Sequence, residues 1–129
     1  MTAERASEYL AVLSEMDAHR IEAGGKPPHW NRLVNRLQTL YLELRQSPDG
    51  RQAIGDLMDS ESVTVREWSA GHALAWEPAK AQDALERLAA EGKGLASFEA
   101  GITLREFRRG KLKLDWIPKR AVRAPEPEA

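Results

Sequence analysis

Three histidines, His19, His29 and His72, are the side chains of this chain whose ordinary pKa lies nearest neutrality, which makes them the first candidates for proton transfer or metal binding. Glu15, His19 and Glu22 fall on one helical face and in principle offer three metal ligands. A metal site also needs a ligand from a second element and an outer ring of hydrogen bonds, and the sequence holds neither an HExxH motif nor a clustered set of carboxylates. A solvated helix face is the better reading of that trio. His72 stands one turn from both Trp68 and Trp76, the setting of a histidine that hydrogen-bonds within a core or between helices. His29 follows two prolines and reads as a loop or cap residue. The serines at turns, Ser47, Ser60 and Ser62, read as helix caps, since no GxSxG setting surrounds any serine. Gly92-Lys93-Gly94 lacks the GxxxxGK[ST] spacing of a phosphate-binding loop and reads as helix punctuation. The chain has no cysteine, which excludes a thiolate nucleophile, a disulfide scaffold and a cysteine-bound zinc or iron–sulfur centre. No catalytic residue, metal ligand or cofactor motif is assigned, and the chain is expected not to be an enzyme.

Charge offers binding chemistry instead. The formal net charge is −1, but residues 1–104 hold 16 acidic and 11 basic side chains, whereas residues 105–123 hold 8 basic and 2 acidic. An acidic body therefore carries a basic end. Arg105, Arg108, Arg109 and Lys111 open that run, continued by Lys113, Lys119, Arg120 and Arg123, and clustered cations of this kind suit phosphate contacts. The acidic body would repel a long duplex, so a solvated or partner-facing end is the competing reading. On the acidic side, exposed carboxylates at Glu67, Asp83, Glu86 and Glu91 would present a row that mimics phosphates to a basic protein and steers its approach.

Helices must position these groups. With 129 residues and 42% hydrophobic content the chain supports one domain with a real core. A first helix, capped by Thr2, is expected to run to about Ala23 and to stop at Gly24-Gly25-Lys26-Pro27-Pro28. A second starts near His29 or Trp30, with Trp30, Leu33, Val34, Leu37, Leu40, Tyr41 and Leu44 as its apolar stripe. Ser47-Pro48 and Pro78 mark the starts of a third and a fifth helix, because proline loses nothing at a first helical position. Between them VREWSAGHALAW, Val65 to Trp76, is apolar nearly all round, as a helix sandwiched between neighbours would be. Gly71 in its middle suggests a close backbone approach, and truncating Trp68 is expected to cost about 3 to 5 kcal/mol if its ring is buried. A sixth helix from Leu95 ends near Arg109 with Gly110 behind it. Leu112, Leu114 and Trp116 alternate along an extended segment expected to dock on the helices or form a short strand, and residues 118–129 hold too little apolar content to order themselves.

The focal stretch is echoed thirty residues on by LASFEAGITLREF: Val65 meets Leu95, Trp68 meets Phe98, Ala70 meets Ala100, Gly71 meets Gly101 and Leu74 meets Leu104. Self-similarity at this period marks stacked supersecondary units. The stretch resembles the second half of a HEAT repeat. Together with the Pro78 helix start and ITLREFRRGKL, it is similar to a family of small bacterial single-domain proteins built from HEAT-like helices, over roughly residues 40–112. That resemblance implies an all-α fold of about three antiparallel helix pairs in a right-handed stack over residues 1–117. It also implies a protein-binding role, since members often lie beside secreted toxins and act as immunity proteins. HEAT-like folds that bind duplex DNA make nucleic acid the alternative. The N-terminus lacks the apolar run of a signal peptide and no stretch is long enough to span a membrane, so a cytoplasmic protein with a protein partner and no cofactor is expected.

Overall fold

The computed structural model describes residues 2–118. The tail expected to be disordered, with Lys119, Arg120 and Arg123, lies outside the described residues from position 119 onward. Six α-helices follow one another: α1 (Thr2–Ala18), α2 (Pro27–Leu44), α3 (Pro48–Asp56), α4 (Val63–Ala73), α5 (Pro78–Glu91) and α6 (Gly94–Arg108), and there is no strand among the described residues. Consecutive helices pack in pairs, α1 on α2, α3 on α4 and α5 on α6, while α4 also touches α1, α5 and α6. Among the described residues no helix is long and apolar enough to cross a membrane.

Local chemistry sets the helix ends. Ser47 accepts a hydrogen bond from the Gly50 N–H at 3.1 Å, and Ser62 accepts one from the Val65 N–H at 3.3 Å, so both serines are caps. Pro48 and Pro78 occupy first-turn positions as expected, and Pro27 and Pro28 do too, which starts α2 earlier than His29. The first helix stops at Ala18 rather than Ala23. A 3₁₀ turn, Ile21–Ala23, follows, and Gly24 takes a φ of 100° as the Gly25 N–H turns back to the Arg20 carbonyl at 2.9 Å. At the far end Gly110 has a φ of 71°, its N–H donates to the Phe107 carbonyl at 3.0 Å and the Lys111 N–H donates to the Glu106 carbonyl at 2.8 Å, the paired bonds of a left-handed helix stop.

The core has two parts, and α4 separates them. Tyr9, Leu13 and Met16 of α1, Leu37, Leu40 and Tyr41 of α2, Ile54 and Val65 form the first. Ala70, Ala73 and Leu74 meet Ala81, Leu85 and Leu88 of α5 and Ala100 and Leu104 of α6 in the second. Both sides of α4 are thus covered, the reason its sequence is apolar nearly all round. Gly71 is a correction. A Cβ there would meet nothing within 4 Å, so no backbone approaches it; close approaches lie at Gly25 and Gly50, where a Cβ would fall 1.9 Å from the carbonyl oxygens of His19 and Leu44 respectively. The segment after α6 docks without forming a strand: Leu114 packs against both parts of the core, and the Gln38 amide donates to the carbonyls of Leu114 at 3.1 Å and Trp116 at 2.9 Å.

Candidate functional site

On its α1-facing side α4 carries His72 into the core, where its Nδ1 shares a hydrogen bond of 2.6 Å with the Tyr9 hydroxyl. Tyr41 stacks on the imidazole at 4.1 Å and 14°, Trp68 meets it edge-on at 6.2 Å, and Arg45 lies over the Tyr41 ring at 5.1 Å. Burial, assisted by the nearby Arg45 charge, pushes the imidazole pKa down to about 3, while burial raises the Tyr9 phenol. The histidine is neutral and held, as expected of a core hydrogen-bonding residue.

One turn earlier, Glu67 is 92% removed from solvent at 8% exposure, and its Oε1 has no hydrogen-bond partner. Its nearest cation is Arg20, 4.0 Å from that oxygen. The same guanidinium serves Glu22, stands 3.5 Å from Glu99 of α6 and donates to the Thr64 hydroxyl at 2.9 Å, which in turn donates to Asp17 at 2.7 Å. One cation is shared among several carboxylates. Burial and the adjoining Glu99 carboxylate raise the Glu67 pKa to about 9, so its carboxyl holds a proton at neutral pH.

Glu67 and His72 both face a cavity of about 180 Å³ between α4 and the C-terminal segment. Gln38 of α2 and Thr103 of α6 supply polar groups to it, Trp68, Leu112, Leu114 and Trp116 make its apolar walls, and exposed Lys113 completes the lining. Gly71 lines it as well, and the open space where its Cβ would stand belongs to this cavity. Trp68 is only half-buried, one side against His72 and the other on the cavity, so it is not the fully enclosed ring on which the 3 to 5 kcal/mol expectation depended.

The structure disperses the residues expected to bind a partner. Glu67 is buried and cannot belong to an exposed carboxylate row. Asp83 pairs with Arg87 at 3.3 Å, Glu86 pairs with Arg108, and Glu91 takes both guanidinium nitrogens of Arg66 at 2.7 and 2.9 Å. Arg108 also donates to Gln82 at 2.9 Å, whereas Arg105, Arg109 and Lys111 are exposed around the end of α6. Glu22 turns to Arg20 and the His19 ring meets His29 at 4.6 Å, so the Glu15, His19 and Glu22 trio is not assembled. Among the described residues no three His, Cys, Asp or Glu side chains are placed to hold a metal ion. Sequence reading missed Gln38, Thr103 and Arg20. Their roles depend on which helices meet, whereas Glu67, read as exposed, sits inside a helix with two apolar sides, a signal of burial that the sequence reading did not use.

No family model matches the chain, and no curated protein matches it. Among solved structures it is similar to the crystal structure of the protein RPA1889 from Rhodopseudomonas palustris CGA009, with a TM-score of 0.78 and 24% identity over 88% of this chain and 93% of that one. At that identity the likeness is one of fold, and it extends over nearly the whole helical array.

Proposed function

We propose that the protein is a non-catalytic helical module that acts by binding another protein, and that the partner is a toxin it neutralises. The observation that carries the reading is the bare side of α6, where Phe98 is 64% exposed and Leu95, one turn before it, is 41% exposed. Large aromatic side chains left in solvent on a rigid helix are the kind that anchor protein interfaces. The excess of acidic side chains in residues 1–104 suits a basic partner such as a toxin acting on nucleic acid. The exposed carboxylates Asp83 and Glu86 belong to the rim of such an interface, where charge steers encounter more than it holds the complex. The test is co-expression with the product of the reading frame beside the protein's own, assayed for toxicity by itself. A stable complex and rescued growth are expected, and Phe98→Asp should abolish both while leaving the melting temperature within a few degrees of wild type. Rescue undiminished in Phe98→Asp, or no complex at all, would overturn the reading.

The alternative is nucleic-acid binding through the basic end, favoured by the exposure of Arg105, Arg109 and Lys111 around the stop of α6. It is the poorer reading because Arg108, in the middle of that group, is engaged by Glu86 and Gln82. It requires a labelled duplex to shift at low salt and to be released steeply as salt rises.

A further inference from the structure

We propose that the cavity beneath the C-terminal segment is a binding site for an alkylammonium group, with the Glu67 carboxylate as its anion and the Trp68 and Trp116 rings as its walls. The inference stands apart from the protein-binding reading, since it rests on none of the exposed side chains that carry that reading. Its first support is an imbalance. Among the described residues Arg20 is the guanidinium beside Glu22, Glu67 and Glu99, with Asp17 reached through Thr64, so the carboxyl groups gathered around Glu67 outnumber the cations. A buried carboxyl group crowded by other carboxylates needs either a cation or a proton beside it. The proton that burial and Glu99 retain on Glu67 fills the place of a missing cation.

The second support is shape and chemistry. Glu67 lines an actual cavity, whose apolar walls are indoles and leucines, and indole faces attract cations through their quadrupole. At about 180 Å³ the space falls below the range of about 300 Å³ and above that drug-sized ligands use, so it suits a small molecule or one side chain. A metal ion fits poorly, because no three ligating side chains converge among the described residues. Ammonium brings N–H donors for the carboxylate and an alkyl stem for the apolar wall. Gly71 leaves the space unobstructed, and Thr103 and Gln38 offer further polar contacts. Lys113 of the chain itself lines the same cavity but is exposed, so it competes from the rim. The same ammonium chemistry is carried by a free alkylamine and by a lysine side chain of another protein.

Binding a cation here displaces the Glu67 proton to solvent. The charged groups that face this carboxyl are Arg20 and Glu22 after α1, Glu99 from α6 and Lys113 from the C-terminal segment, and an alkylammonium keeps its own charge to about pH 10. Affinity should therefore climb by about tenfold per pH unit between pH 7 and 8, while Glu67 is still mostly protonated in the free protein. The experiment titrates the full chain with n-butylammonium chloride, following tryptophan fluorescence and heat, at pH 6, 7, 8 and 9. Saturable binding that tightens with pH, disappears in Glu67→Gln and weakens several-fold in Trp116→Ala is expected. Glu67→Gln copies the shape of the protonated acid, and Trp116 lies on the docked segment outside the helical core, so both variants should fold. A lysine-bearing tripeptide with blocked ends, run beside the free amine, identifies the source: tighter binding of the peptide points to a partner's lysine, tighter binding of the amine to a free ligand. Equal binding of n-butanol, binding unchanged in Glu67→Gln, or no binding at any of these pH values overturns the proposal.

Discussion

At the scale of single residues, two buried titratable groups give the protein opposing pH responses. The His72 imidazole is held near 3 in the folded chain against an ordinary 6.5, so between those values the unfolded chain takes up a proton that the folded chain refuses. Stability therefore falls as pH drops through that window. Glu67 behaves in the opposite sense. Its folded pKa is raised from 4.5 to about 9, so the stability it contributes is complete below 4.5 and is lost as pH rises through that range. Thermal melts across pH 4 to 10 should show a decline on both limbs, and Glu67→Gln should flatten the alkaline one while leaving the acid one in place. An alkaline limb unchanged in that variant would mean that Glu67 is ionised in the native protein. Trp68→Ala belongs to the same scale. Because that ring is half-buried on a cavity, its removal should cost less than the roughly 3 kcal/mol lower bound for truncating a large aromatic in the core, measured by urea unfolding.

At the scale of elements, glycines separate space from contact. Gly50 lies in the first turn of α3 against the end of α2, where a methyl group would overlap the Leu44 carbonyl. Gly50→Ala is expected to lower the melting temperature strongly, since only movement of backbone relieves the clash. Gly71 lies in the interior of α4 with open space beside it, so Gly71→Ala should stabilise the helix by up to about 1 kcal/mol while narrowing the cavity. Calorimetry on the two variants should give shifts of opposite sign. The C-terminal segment supplies a third case, for Gln38 alone ties two of its carbonyls to α2. Gln38→Ala removes both bonds, each worth about 1 kcal/mol, and should speed tryptic cleavage after Lys113 far more than it lowers the melting temperature of the helices. Equal cleavage rates would show that Leu112 and Leu114 hold the segment without it.

At the scale of the whole molecule, the thirty-residue echo describes half of what it implied. Ala70 and Leu74 of α4 and Ala100 and Leu104 of α6 meet in one cluster, so the equivalent sides of the two helices share a core. The other side differs. In α4, Val65 and His72 are covered by α1 and α2, whereas in α6 Leu95 and Phe98 are left in solvent. No described helix pair occupies over α6 the place that α1 and α2 occupy over α4. The extended segment adds a tie of its own, because Leu114 touches both clusters. A chain ending at Gly110 should keep its helical circular dichroism but melt at lower temperature and with a broader transition. An unchanged melt would show that α4 and Trp76, which also packs on both clusters, join them without the segment.

The sequence by itself determined what depends on near neighbours. Ser47 and Ser62 as caps, Pro48 and Pro78 at first turns, Gly110 at the helix stop and the apolar stripe of α2 are all decided within a few residues, where backbone geometry and hydrogen-bond supply leave few choices. The two apolar sides of α4 announced a sandwiched helix for the same reason. Only the tertiary structure decided that Glu67 is buried, that Glu99 faces it and that Arg20 is shared among its neighbours. Those facts require α6 and the turn after α1 to converge on α4, and helical spacing places a glutamate on a face without stating what covers that face. The cavity arose in the same way: Gly71 was legible as an anomaly, but whether its missing side chain admits a backbone or leaves a space was decided by where the segment from Leu112 to Trp116 came to rest.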